Sequence, residues 1–196
     1  TTDELIPSGE TSSYRSNPLG LAEFTLSRKD PEYVGRAKAV RAEEEARRAG
    51  TADDALLAKV HAVPGCEQLK WNDIQIASTI FAVKPGDGSA REQAASCQRV
   101  LGAGANIVTE YATKRYRSNL INWGMLPLQL VGATPFGLGD YVFIPNVREA
   151  LKGDLQDIKA YVLGDTAKEF SLYMAPLTAD ERKILADGCL INFYKH

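Results

Sequence analysis

An apolar run, Ile76 to Val83, passes through Lys84-Pro85 into Gly86-Asp87-Gly88-Ser89-Ala90-Arg91-Glu92-Gln93-Ala94, and a helix-like segment from Glu92 to Leu101 leaves it. That order is a strand, a tight loop and a helix start. Two glycines let the backbone turn sharply and come close to a ligand. Ser89 falls near the helix N-cap, where open N–H groups and the helix dipole attract anions. Arg91 adds a fixed charge that can fork a carboxylate. A hydroxyl, a guanidinium and open N–H groups at one point suit a small carboxylic acid. The plainer reading of the same residues is a serine cap after a glycine turn, with Arg91 on the surface.

The rest of the chain narrows the classes of function. With 196 residues it can bury one sizeable core. A net charge of −2 gives no basic footprint for nucleic acid. No apolar run is long enough to cross a bilayer, so no membrane role is expected. The three cysteines, Cys66, Cys97 and Cys189, are odd in number and far apart. That fits a reducing, cytoplasmic compartment rather than a disulfide framework. There is no Cys-x-x-Cys and no histidine cluster, so no metal site is expected from this chain alone. His61 and His196 are isolated and read as core or surface residues.

Thr1 to Pro18 is rich in Ser, Thr, Gly and Pro and reads as an extended lead-in and loop. A short helix is expected within Pro18–Arg28. A long one is expected over Pro31–Ala49, with Pro31 in its first turn and Gly50 at its stop. Its pairs Glu43/Arg47 and Glu44/Arg48 read as a solvated face. A weaker helix covers Ala52–Val60. Strands are expected over Ile74–Val83, Ala105–Thr109, Leu126–Leu130 and Gly139–Ile144. Val162–Tyr173 reads as strand, turn, strand about Gly164-Asp165. Thr113–Trp123 reads as a helix stopped by Gly124. A last helix opens on the capping box Thr178…Glu181 and stops at Gly188. Gly102-x-Gly104 invites a dinucleotide reading, but the order here is helix, glycines, strand, which is the reverse of what a nucleotide loop needs.

The Gly86–Ala94 stretch resembles the Gly-x-Gly-Ser-Ser-Arg-Glu-His/Gln-Ala loop of the aconitase superfamily of hydro-lyases, in its C-terminal swivelling domain. Three further matches lie in the family's order. Thr1-Thr2-Asp3 with Arg15 resembles the opening of that domain. Asn119-Leu120, Gly124 and Leu126-Pro127-Leu128 resemble the turn that follows the catalytic loop. Cys189 to Tyr194 resembles the terminal segment. The resemblance implies one α/β domain of the swivelling β/β/α type over 1–196, with a partly parallel sheet core flanked by helices. Its expected parts are the lead-in 1–18, a helical elaboration at about 19–60, the catalytic-loop core at about 71–131, and C-terminal strands and a helix at about 139–196. The opening at Thr1-Thr2-Asp3 favours a domain cut from a longer chain over a separate small subunit.

The resemblance also implies a role for each residue. Ser89 takes the place of the family's serine base. Arg15 and Arg91 bind a substrate carboxylate or hydroxyl, and Arg91 also supports Ser89. Ala90 stands at a substrate-binding position where the common pattern has a second serine. Thr2, Asp3 and Gly88 support the loop and the arginine. Ala90, and Ser12-Ser13-Tyr14-Arg15-Ser16 in place of Phe-Arg-Gly-His, argue against citrate. The family's [4Fe-4S] cluster is held by cysteines of other domains or of a large subunit, and this chain has no counterpart to them. It is therefore expected to be inactive alone, to close over a cluster-bearing partner, and to act on a hydroxy di- or tricarboxylic acid. The alternative is a non-catalytic module that keeps the fold and binds RNA or a partner protein.

Overall fold

Short apolar strands alternate with one-sided helices through the middle of the sequence, and such a chain buries itself as a sheet with helices packed on it. In the computed structural model, residues 1–6, 22–23, 25–26, 29–88 and 91–188 are described, Asp3 and Arg91 by backbone only. Their order is α1 (Thr2–Leu5), α2 (Tyr33–Ala49), α3 (Asp54–His61), β1 (Ser78–Ala82), α4 (Arg91–Val100), β2 (Ala103–Val108), α5 (Lys114–Asn122), β3 (Leu126–Gln129), β4 (Tyr141–Phe143), α6 (Val147–Lys152), β5 (Ile158–Leu163), β6 (Lys168–Leu172) and α7 (Ala179–Asp187), with a 3-10 turn at Trp71–Asp73.

β1, β2 and β3 form a parallel sheet in that order, and β4, β5 and β6 an antiparallel one. Both parallel crossovers are made by helices, α4 and α5, as parallel pairing requires. The two sheets join where Gln129 and Tyr173 exchange both backbone hydrogen bonds, at 2.7 and 3.0 Å. One core gathers Ile80 and Ala103 of the parallel sheet with Val34, Ala95 and Leu120 of the helices and Leu101 of the turn after α4. A second core crosses the join: Ile107 and Leu128 pack with Ile158, Leu172 and Ile184. Phe136 and Phe170 pack against this second core, and Phe136 reaches both Phe81 and Phe170, with ring centres 5.7 and 5.9 Å away.

The α/β class and the partly parallel, helix-flanked sheet match the sequence reading. Three local expectations are corrected. Thr1–Ile6 is not extended: Thr1 and Glu4 close a capping box, and that reciprocal pair of bonds is enough to start the turn α1. The charges of α2 are not all on a solvated face. Glu43 accepts from the Tyr141 hydroxyl at 2.7 and 2.8 Å. Arg41 donates to Val100 O, Arg47 donates to Trp71 O, and buried Glu44 accepts from Ile76 N–H. The helix thus ties the strand entrance of β1 and the edge of the second sheet to one side of the domain. The third correction is the start of α2: Pro31 lies before the N-cap Glu32, not in the first turn. The terminal match at 189–194 lies outside the described residues.

Candidate functional site

The parallel ladder does not stop where β1 ends. Thr109 N–H donates to Ala82 O, Glu110 N–H to Val83 O, and Ala112 N–H to Pro85 O. The Thr113 hydroxyl then donates to Gly86 O at 2.9 Å. Residues 82–86 are therefore stitched along the exit of β2. The loop stands at the C-terminal end of a parallel strand, where open α/β sheets hold their ligands. Thr113 is also the N-cap of α5, accepting from Tyr116 N–H.

Two glycines make the turn. Gly86 has φ +105°, and a Cβ there would lie 2.5 Å from Tyr116 Cβ. Gly88 has φ +120°, and a Cβ there would overlap Thr2 Oγ1. Only glycine meets both demands at each position, a left-handed backbone and contact without a side chain. Thr2 is buried, and its N–H donates to Asp87 O at 2.5 Å. The first motif of the chain is thus docked on the glycine loop. The helix that leaves the loop, α4, begins at Arg91, which places the open N–H groups of its first turn directly after the loop.

Of the residues expected at the site, the structure brings Thr2 and Gly88 into contact. Ser89, Ala90 and Arg15 lie outside the described residues, as do the side chains of Asp3 and Arg91.

Beneath the loop lies a feature that the sequence reading missed. Gln98 of α4, Asn106 of β2 and Tyr116 of α5 are all at most 1% exposed. Gln98 Nε2 donates to the Tyr116 hydroxyl at 2.9 Å, that hydroxyl donates to Asn106 Oδ1 at 2.7 Å, and Asn106 Nδ2 donates to Gln98 Oε1 at 2.7 Å. The remaining amide hydrogens reach Ala94 O and Ala105 O. The ring is closed and every side-chain N–H is used. Burial pushes the Tyr116 phenol well above its ordinary range, so it stays protonated. The available signal was Asn106 itself, a polar residue inside an otherwise apolar strand, which must find a partner.

No three His, Cys, Asp or Glu side chains gather among the described residues in a way that could hold a metal ion. Cys97 is buried, and burial pushes its thiol up to about 11, so it is a protonated thiol at neutral pH. Cys66 is also buried, with its thiol raised by the same cause, and it sits in a different cluster. These residues do not fit as ligands of an iron–sulfur cluster. Among the described residues, no helix is long and apolar enough to cross a membrane.

Comparison with known proteins bears on the same stretch. Residues 41–132, which include the glycine loop, β1 to β3 and the buried ring, match the family model of the aconitase C-terminal domain. Aconitate hydratase A of Mycobacterium avium is 34% identical over 116 residues, 55% of this chain and 12% of that protein. The chain thus spans a small part of the length of the relative it matches. The solved 3-isopropylmalate dehydratase of Methanocaldococcus jannaschii is 19% identical, with a TM-score of 0.46 over 99% of this chain and 85% of that one. Within the aconitase C-terminal domain match, Asn119 and Leu120 lie in the last turn of α5, Gly124 turns with φ +74°, and Leu126 opens β3. These matched residues shape a helix exit and a strand start, and the loop at 86–88 is the part with open chemistry.

Proposed function

We propose that this chain is the swivelling domain of an aconitase-like hydro-lyase or isomerase of hydroxy di- or tricarboxylic acids. In this reading Ser89 is the base, and Arg15 and Arg91 hold the substrate. The observation that carries the reading is the docking of Thr2 on Asp87 and Gly88. Two motifs from opposite ends of the N-terminal half meet at the C-terminal edge of a parallel sheet, and nothing in local structure requires that meeting.

The chemistry follows from the loop. Ser89 Oγ takes the proton from the carbon beside a carboxylate, the hydroxyl leaves the neighbouring carbon, and a double bond forms between them; hydration is the reverse. A serine is a weak base at its free pKa and needs help. The open N–H groups at the start of α4 and the charge of Arg91 would stabilise its alkoxide. Arg15 would fork a carboxylate, and Asp3 would orient it. Thr2 and Gly88 would set the loop's height. Ala90 brings no hydroxyl, which favours an acid other than citrate. The [4Fe-4S] cluster would come from other domains or a partner subunit, in a cytoplasmic protein, and this chain would be inactive without them.

The test is Ser89→Ala in the complete protein, assayed for hydration of unsaturated di- and tricarboxylates. The expected result is a kcat lower by about 10³ with KM little changed, because the group acts on the transition state. Arg15→Lys should raise KM as well, since lysine cannot fork a carboxylate. Full turnover in Ser89→Ala would remove Ser89 as the base, and no turnover in the wild type would leave a non-catalytic module that binds RNA or a partner protein.

A further inference from the structure

We propose that the closed ring of Gln98, Asn106 and Tyr116 is the positioning device of the 83–88 loop, with Tyr116 as the residue that transmits it. The proposal takes that loop as the catalytic loop of the function proposed above.

Each member of the ring belongs to a segment that meets the loop. Gln98 sits on α4, the helix that leaves it. Asn106 sits on β2, whose continuation donates to Val83 O and Pro85 O. Tyr116 sits in the first turn of α5, whose cap Thr113 holds Gly86 O. Tyr116 also touches the loop directly: a Cβ on Gly86 would meet its Cβ, Cγ and Cδ1 at 2.5–2.7 Å. The aromatic ring is thus pressed on Gly86 at one end. At the other end its hydroxyl is held by two hydrogen bonds. A side chain fixed at both ends leaves the Gly86 backbone one place to rest.

Stability does not explain the ring. The surrounding core is apolar, with Ala94, Ala103, Leu120 and Met125 all buried beside it. Buried amides in such a place are tolerated only when fully hydrogen-bonded. Apolar side chains of similar shape would stabilise a core about as well. What apolar contacts cannot supply is a directional lock. A ring in which every member donates and accepts has one arrangement, and its bonds strengthen one another.

The experiment compares four forms of the full-length protein: wild type, Tyr116→Phe, the apolar triple variant Gln98→Met/Asn106→Val/Tyr116→Phe, and Leu172→Ala as a destabilised control in the second core. Amide hydrogen exchange is followed by mass spectrometry on peptides spanning 83–88 and 109–113, because the latter amides donate to the loop carbonyls. Tyr116→Phe should speed exchange in those peptides about tenfold beyond the control at matched loss of melting temperature. The triple variant should regain melting temperature, having no orphaned amide, and should still exchange fast in those peptides. Loop exchange in Tyr116→Phe no faster than in the control would overturn the proposal. So would wild-type loop protection in the triple variant, even if Tyr116→Phe itself folds poorly. In the same proteins, hydro-lyase kcat should fall with KM nearly unchanged in Tyr116→Phe. If the wild type shows no hydro-lyase turnover, the functional reading fails, while the exchange result still decides the role of the ring.

Discussion

Gly86 shows how one missing side chain can decide a site. Its φ of +105° lies where a Cβ clashes with its own backbone, and its Cα faces the Cβ of Tyr116. Gly139 has a similar φ of +86° but opens on empty space. The two positions separate conformational strain from contact. Gly139→Ala should cost about 1–2 kcal/mol, the price of a left-handed backbone alone. Gly86→Ala should cost about 2–5 kcal/mol, because the core residue Tyr116 must also move. Urea unfolding of both variants checks this, and equal losses would mean that the Tyr116 contact is soft.

Between elements, the least expected tie is the one from α2 to the entrance of β1. Glu44 is 7% exposed, accepts from Arg47 at 2.6 and 2.7 Å, and accepts from Ile76 N–H at 2.8 Å. Burial raises its pKa, but the bonds from Arg47 and Ile76, with the charges of Arg47 and Arg48, outweigh it and leave the carboxyl below its ordinary 4.5. A folded pKa below the unfolded one means that the stabilisation is fully present above pH 4.5. It is lost as pH falls through the lower folded value. Glu44→Gln should therefore cost about 1–3 kcal/mol at neutral pH and progressively less below pH 4.5. A difference between wild type and variant that stays constant down to low pH would refute the assignment. This helix also marks where the sequence was legible and where it was not. Pro31 and Gly50 located α2 to within two residues, and the Thr178…Glu181 box located α7, because these signals are local. The partners of Glu43, Glu44 and Arg47 come from distant segments, so their charges resembled solvent-facing ones. The glycine loop was legible because its turn chemistry is local. The ring of Gln98, Asn106 and Tyr116 was not, because the three meet only through the crossovers of a parallel sheet.

At the scale of the whole molecule, the two sheets could have been two separable units, and the packing says otherwise. The second core draws Ile107, Ile121 and Leu128 from the parallel half and Ile158, Ala160 and Leu172 from the antiparallel half. Arg117 of α5 donates to Ala175 O and Pro176 O beyond β6, and Gln129 pairs with Tyr173. Separating the halves would expose that core and orphan those carbonyls together. One cooperative transition is therefore expected for these residues. Leu172 is fully buried at the join, and Leu172→Ala should remove about 2–5 kcal/mol from that single transition. Far-ultraviolet circular dichroism reports the helices of both halves, while Trp71 and Trp123 both precede β3, so their fluorescence reports the parallel-sheet half. In wild type the two signals should melt together, and in Leu172→Ala they should shift downward by the same amount. If fluorescence kept its midpoint while part of the dichroism signal moved, the halves would be melting independently. The loop at 86–88 would then be held by the parallel sheet alone.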